Sequence, residues 1–175
     1  MKNPLFYKVF SKKRRVPEEF FWSWAGPAGT EVSQTIFEKI LSGEIPSHEV
    51  GRGSNWYAFL DIFPRREGHT LVVPHKAVSH LSQLSEEQIA GLFSGVKTVQ
   101  QKLSKIFSTQ DFTICLHDGP LAGQEVPHVH VHVIPRTSGD GGMTLMSMWP
   151  KTTPAGEPNH AKLAGLAKQI AEMTQ

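Results

Sequence analysis

Three of the nine histidines, His128, His130 and His132, stand at alternate positions within five residues. Val129, Val131 and Val133 fill the positions between and after them. Successive side chains of a strand point to opposite faces, so this spacing gives the imidazoles one face and the valines the other. A half-buried strand ordinarily sets Thr, Lys or Glu opposite its valines; three imidazoles there suit chemistry near neutral pH. A neutral imidazole attacks as a nucleophile when its second nitrogen is held as a donor, which fixes the tautomer. Flanking histidines can hold it directly or by ordering the backbone, and can set donors where phosphate oxygens would sit. Metal binding is the rival reading. Neighbouring histidines on a strand lie ~6.6–7 Å apart, close enough for two to share an ion, but the third lies ~13 Å from the first. An ion would then need outside ligands such as His117, His69 or Asp118.

The elements that must position this strand follow from pattern. Gly119-Pro120-Leu121-Ala122-Gly123-Gln124 leads into it, and its glycines let backbone N–H groups approach an anion. Phe112 to His117 alternates as a strand, with Thr113, Cys115 and His117 on one face. Trp56–Asp61 and Thr70–Pro74 flank the turn Pro64–Gly68 and predict an antiparallel hairpin. Thr35 with Glu38, ahead of Ile36, Phe37, Ile40 and Leu41, predicts a short capped helix, ended near Gly43 and Pro46. Ser85 with Gln88 opens the longest predicted helix; Ile89, Leu92, Phe93, Val96, Val99, Leu103 and Ile106 form its apolar stripe. The fourth strand is predicted over His128–Ile134. Leu163, Leu166, Ile170 and Met173 predict a terminal amphipathic helix.

Composition narrows the class. At 39% hydrophobic and 19% charged, 175 residues suit one globular domain with an appendage. No apolar run is long enough to cross a membrane as a helix. The single cysteine, Cys115, excludes an internal disulfide framework and a cysteine-built structural zinc site. A net charge of +2 does not argue for nucleic acid. Residues 1–34 are set apart as an extension: six basic residues precede the first acid, Glu18, and aromatics such as Phe6, Tyr7, Phe20, Phe21, Trp22 and Trp24 interleave with them. The expectation is an arm that packs on the domain or on a partner chain; Glu18, Glu19 and the scarcity of Ser weigh against an organelle transit peptide. Residues 35–150 form the domain and 151–175 a tail with its helix. His48, His75, His80 and His160 read as solvated.

His128-Val-His-Val-His-Val-Ile134 resembles the motif of the histidine-triad (HIT) family of nucleotide hydrolases and transferases. Other segments agree in order and spacing from about Thr35 to Trp149: Ile36-Phe-Glu-Lys-Ile40, Gly43-Glu-Ile-Pro46, Phe59-Leu-Asp-Ile-Phe-Pro64, Gly68-His-Thr-Leu-Val-Val-Pro74, Ala122-Gly-Gln124 and Ile134-Pro-Arg136. The stretch after Ile134 is most similar to the bacterial-type branch, whereas Asp118-Gly-Pro120 is similar to the dinucleoside-polyphosphate hydrolases.

The resemblance implies an α+β fold, with an antiparallel sheet, a long helix across it and a homodimer. It implies His130 as the nucleophile that takes up the nucleotide. His132 would receive or relay the hydrogen bond that orients His130, His128 would contact phosphate or leaving group, and His69 would support the triad. Asp61 would bind the ribose hydroxyls. Ile36, Phe37, Ile40, Phe59 and Leu71 would line a purine slot, with Gly123, Gln124 and Glu125 at the α-phosphate. His117 stands where the family usually carries Asn or Gln at the phosphate or leaving group. Some bacterial-type members hold zinc with a cysteine where this chain has Glu38, so that site is expected to be absent. The implied substrate is a purine nucleotide conjugate, a dinucleoside polyphosphate or a nucleoside phosphoramidate; the alternatives are a nucleotide-binding module with little turnover and a metal-dependent hydrolase. No tightly bound cofactor is implied, at most a divalent cation such as magnesium arriving with the substrate. No membrane or nucleic-acid partner is expected. The compartment expected is the cytoplasm, with organellar targeting by the extension as the alternative.

Overall fold

The computed structural model describes residues 34–143 and 159–173. The expected N-terminal arm lies outside them. The chain divides into two units between Thr137 and Ser138.

The first unit is built on one antiparallel sheet. Its strands are β1 (Glu49–Arg52), β2 (Trp56–Leu60), β3 (Thr70–Pro74), β4 (Phe112–Leu116) and β5 (Val131–Pro135). They lie in the order β1-β2-β3-β5-β4, which puts the histidine strand between the hairpin and β4. Among its described residues two α-helices pack on the sheet: α1 (Ile36–Leu41) and α2 (Glu86–Phe107). Both start as their sequences dictate. Thr35 and Ser85 each accept from the backbone N–H three residues on, and Glu38 and Gln88 reach back to complete the capping boxes. Ser108 ends α2 in the left-handed conformation.

Alternation along the strands makes two cores. Trp56, Ala58, Val72, Val131 and Val133 face Leu92, Val96, Val99 and Leu103 of α2. Tyr57, Phe59, Leu71 and Val73 face the other way and pack with Phe37 of α1. Because β2 and β3 are covered on both faces, their sequences read as continuous apolar runs. Gly95 lets α2 settle onto the sheet: a Cβ there would lie 2.5 Å from the Trp56 ring.

Three local expectations change. β1 is not predicted by pattern, yet it pairs with β2 from Glu49↔Phe59 to Arg52↔Tyr57, with a register shift between Glu49 and Gly51. The predicted strand over His128–Ile134 begins only at Val131. Pro74 has no N–H with which to extend the ladder past β3, and the Val129 N–H bonds Val78 O instead, at 2.8 Å. Finally, Phe93 and Ile106 of the expected stripe are exposed, and Phe107 packs at the helix end. The Phe107 ring occupies the space a Cβ at Gly68 would need, where the backbone is also left-handed (φ +81°).

In the second unit, α3 (His160–Glu172) is capped by the Asn159 side chain, which accepts from the Lys162 N–H. Its Leu163, Leu166 and Ile170 are exposed.

Candidate active site

The face of the sheet opposite α2 holds a cavity of about 580 Å³. That size suits a small-molecule ligand such as a nucleotide. Ile36, Phe37, Ile40, Phe59 and Leu71, all assigned to the purine slot, line it together with Ile45 and Pro46. The Phe37 and Phe59 rings meet edge to face, 5.5 Å between centroids, and Phe37 also meets the His130 ring at 5.2 Å. Polar groups reach the same wall from Asp61, His69, His117, His130, His132 and Glu125. Strand parity explains part of that set: His132 lies opposite the buried Val131 and Val133, and Cys115 pairs with it from β4.

Hydrogen bonds fix the imidazole tautomers. A backbone N–H can only donate, so the Arg65 N–H on His69 Nδ1 (3.2 Å) leaves the His69 proton on Nε2. That Nε2–H donates to His132 Nδ1 at 2.9 Å, leaving the His132 proton on Nε2. Separately, His130 Nδ1–H donates to the carbonyl of His128 at 2.7 Å. The lone pair of neutral His130 is therefore on Nε2, in a ring that lines the cavity. His128 Nε2–H donates to Pro74 O at 3.0 Å, and its Nδ1 accepts from the Thr35 hydroxyl at 3.3 Å.

Burial favours the neutral form of these rings. It pushes His128, His130 and His69 below the ordinary histidine range, with Asp61 opposing the effect at His69. His132 is pushed down to about 3, first by burial and then by the neighbouring His130, His69 and His117. A neutral His130 with a lone pair on Nε2 is a nucleophile at neutral pH.

Three assigned roles change. The His128 ring is wholly buried, bonded to Pro74 and Thr35 and outside the cavity wall, which sets it away from the expected phosphate position; its carbonyl accepts from His130 Nδ1–H. His130 is oriented by that carbonyl rather than by His132, whose ring lies edge-on at 4.9 Å. Gln124 also leaves the phosphate. Its N–H is spent on Gly119 O and its side chain on Ser79 O, while the Gly123 N–H is spent on Pro120 O. Of this loop, Glu125 is left with an N–H free of protein partners among the described residues.

Asp61 reaches the site from the end of β2. Its Oδ1 accepts the Phe63 N–H at 2.8 Å, and its Oδ2 lies 3.4 Å from His69 Nδ1. Because that nitrogen already accepts from Arg65, the contact is not a hydrogen bond while His69 is neutral. Asp61, His69 and His132 also bring possible metal-ligand atoms within 4.8 Å of one another. Both ring nitrogens of His69 are already engaged, so an ion taking either one would displace the bond it now makes. The present bonding pattern is that of a hydrogen-bond relay.

Ile45, Arg65, Cys115, Val126 and Ile134 line the cavity although no sequence pattern assigns them to it. Strand parity with His117 is the available signal for Cys115. Ile45 belongs to the Gly43–Pro46 segment, which carries no assigned role. His48 and His75 are exposed, as their contexts predict, whereas His80 is half-buried and its Nδ1 lies 3.2 Å from the Asp118 carboxylate.

The family model of the HIT domain matches residues 42–139. The chain belongs to the HIT family. It is 33% identical over 135 residues to the adenosine 5'-monophosphoramidase of Saccharomyces cerevisiae, covering 77% of this chain and 79% of that one. It is 46% identical over 83 residues to the asymmetrical bis(5'-nucleosyl)-tetraphosphatase of Schizosaccharomyces pombe, a match spanning 47% of this chain and 46% of that enzyme. A crystal structure of a HIT-family member from Bacillus subtilis superposes with a TM-score of 0.70 at 31% identity, covering 81% of this chain and 97% of that one. The α+β fold expected of the family is the fold observed.

Proposed function

We propose that this HIT-family nucleotide hydrolase cleaves a purine nucleotide conjugate at its α-phosphorus through a nucleotidyl intermediate on His130. The observation that carries the reading is the 2.7 Å bond from His130 Nδ1–H to the His128 carbonyl, which commits the Nε2 lone pair to the cavity. In the first step Nε2 bonds to phosphorus while the bond to the leaving group breaks. In the second, water displaces His130 and releases the nucleoside monophosphate. The apolar side chains of the cavity, Phe37 and Phe59 among them, suit a flat base, and the Asp61 carboxylate on the same wall would accept ribose hydroxyls. Any magnesium would travel with the substrate phosphates. β4 is an edge strand of the sheet with a half-exposed Ile114, and a homodimer formed along that edge would bury it.

The experiment is a panel of AMP conjugates, including diadenosine polyphosphates and adenosine 5'-phosphoramidate, assayed with chelator present. Turnover is expected for at least one member and is abolished by His130→Ala. Activity that disappears with chelator and returns with zinc would replace this mechanism by a metal-dependent one.

A further inference from the structure

The cavity imidazoles differ in what they can do. His69, His130 and His132 are driven to the neutral form by burial, and a neutral imidazole N–H is a poor acid. His117 is only half-buried and stands just past the end of β4, on the cavity wall. Its Nδ1–H donates to Gly123 O at 3.3 Å. Gly123 is shaped for this contact: its backbone is left-handed (φ +96°), and a Cβ there would lie 3.3 Å from His117 Nδ1. With Nδ1 tied down, Nε2 is the nitrogen left to a ligand, and none of the described residues bonds it.

Among the described residues the His132 ring of β5 lies 5.5 Å from the His117 ring, His130 is near enough to feel its charge, and Cys115 and Glu125 share the cavity wall with it. The adjoining Asp118 carboxylate is turned to the Leu81 N–H and to His80.

We propose that His117 is a catalytic residue, the acid that protonates the leaving group, so that turnover depends on it most where the leaving group is a strong base such as an alkylamine. The inference rests on the His130 reading. An amine cannot leave phosphorus without a proton, whereas a nucleoside polyphosphate can. Protonated His117 gives its Nε2 proton to the departing nitrogen as the P–N bond breaks and the His130 Nε2–P bond forms. His117, now neutral, takes a proton from the water that attacks the phosphorus, and the His130–P bond breaks. The products are the nucleoside monophosphate and the amine, with both histidines restored.

The test compares AMP alkylamine phosphoramidates with AMP aryl esters of graded leaving-group pKa. A positioned acid contributes roughly 10²–10⁴-fold. His117→Gln and His117→Asn are therefore expected to lose at least ~100-fold more in kcat/KM on the alkylamine than on the 4-nitrophenyl ester. They should also steepen the dependence of rate on leaving-group pKa. AMP affinity reports that each variant is folded. Equal losses on both substrates overturn the inference, and so does a wild-type rate that already depends steeply on leaving-group pKa, a measurement that needs no variant. Trapping of adenylyl-His130 separates the two levels. If it forms and the selectivity is unchanged, His117 alone is wrong; if it does not form, both readings fall.

Discussion

Lowering the pH should destabilise this protein through the same histidines that line its cavity. In the native state His69, His128, His130 and His132 are held neutral by burial, His132 down to about 3. In the unfolded chain each titrates near 6.5. The unfolded state therefore binds more protons below that value, so the stability these groups contribute is present above about pH 6.5 and is lost as pH falls toward their native values. From pH 7.5 to 5.5 His132 alone costs about 1.3 kcal/mol, and His69, His128 and His130 shift stability in the same direction. That single loss is a sizeable fraction of the stability of many domains. Urea denaturation at the two pH values measures the loss. His132→Asn, which can still accept from His69 Nε2–H, should reduce it by about 1.3 kcal/mol. Stability that does not fall over this range, or an unchanged loss in the variant, would refute the claim that these rings are buried and neutral.

Other outcomes follow from individual contacts. Gly95→Ala would press a methyl group 2.5 Å from the Trp56 ring, and should lower stability by about 1–3 kcal/mol in thermal or urea unfolding without disturbing the histidine tautomers. Asp61→Asn keeps an acceptor for the Phe63 N–H but removes the charge offered to ribose hydroxyls. Hydrogen bonds to charged groups are worth about 1.5–3 kcal/mol, so AMP affinity by titration should fall roughly 10–100-fold.

Much of this site is legible in local pattern. The parity of β5 sets His132 opposite Val131 and Val133, and His130 and Val129 keep the same two sides although the strand begins only at Val131. The capping boxes at Thr35 and Ser85 place both helices for a similarly local reason. What is not legible depends on contacts far apart in sequence. That the His128 ring is buried follows from its bonds to Pro74 and Thr35, 54 and 93 residues away. That the Gln124 N–H is unavailable follows from the turn closing on Gly119. The two glycines of the β1 region disguise a strand whose place is settled by pairing with β2. The ranking of the imidazoles, three driven neutral and His117 left near solvent, belongs to packing and has no signature in spacing.

The most direct test of the central claim is to mix the enzyme with a radiolabelled AMP conjugate, quench within the first turnover, and map the label. The account predicts one AMP on His130 Nε2, stable to alkali, labile to acid and absent from His130→Ala. Turnover with label on another residue, or with no covalent nucleotide at any time during the first turnover, would contradict it.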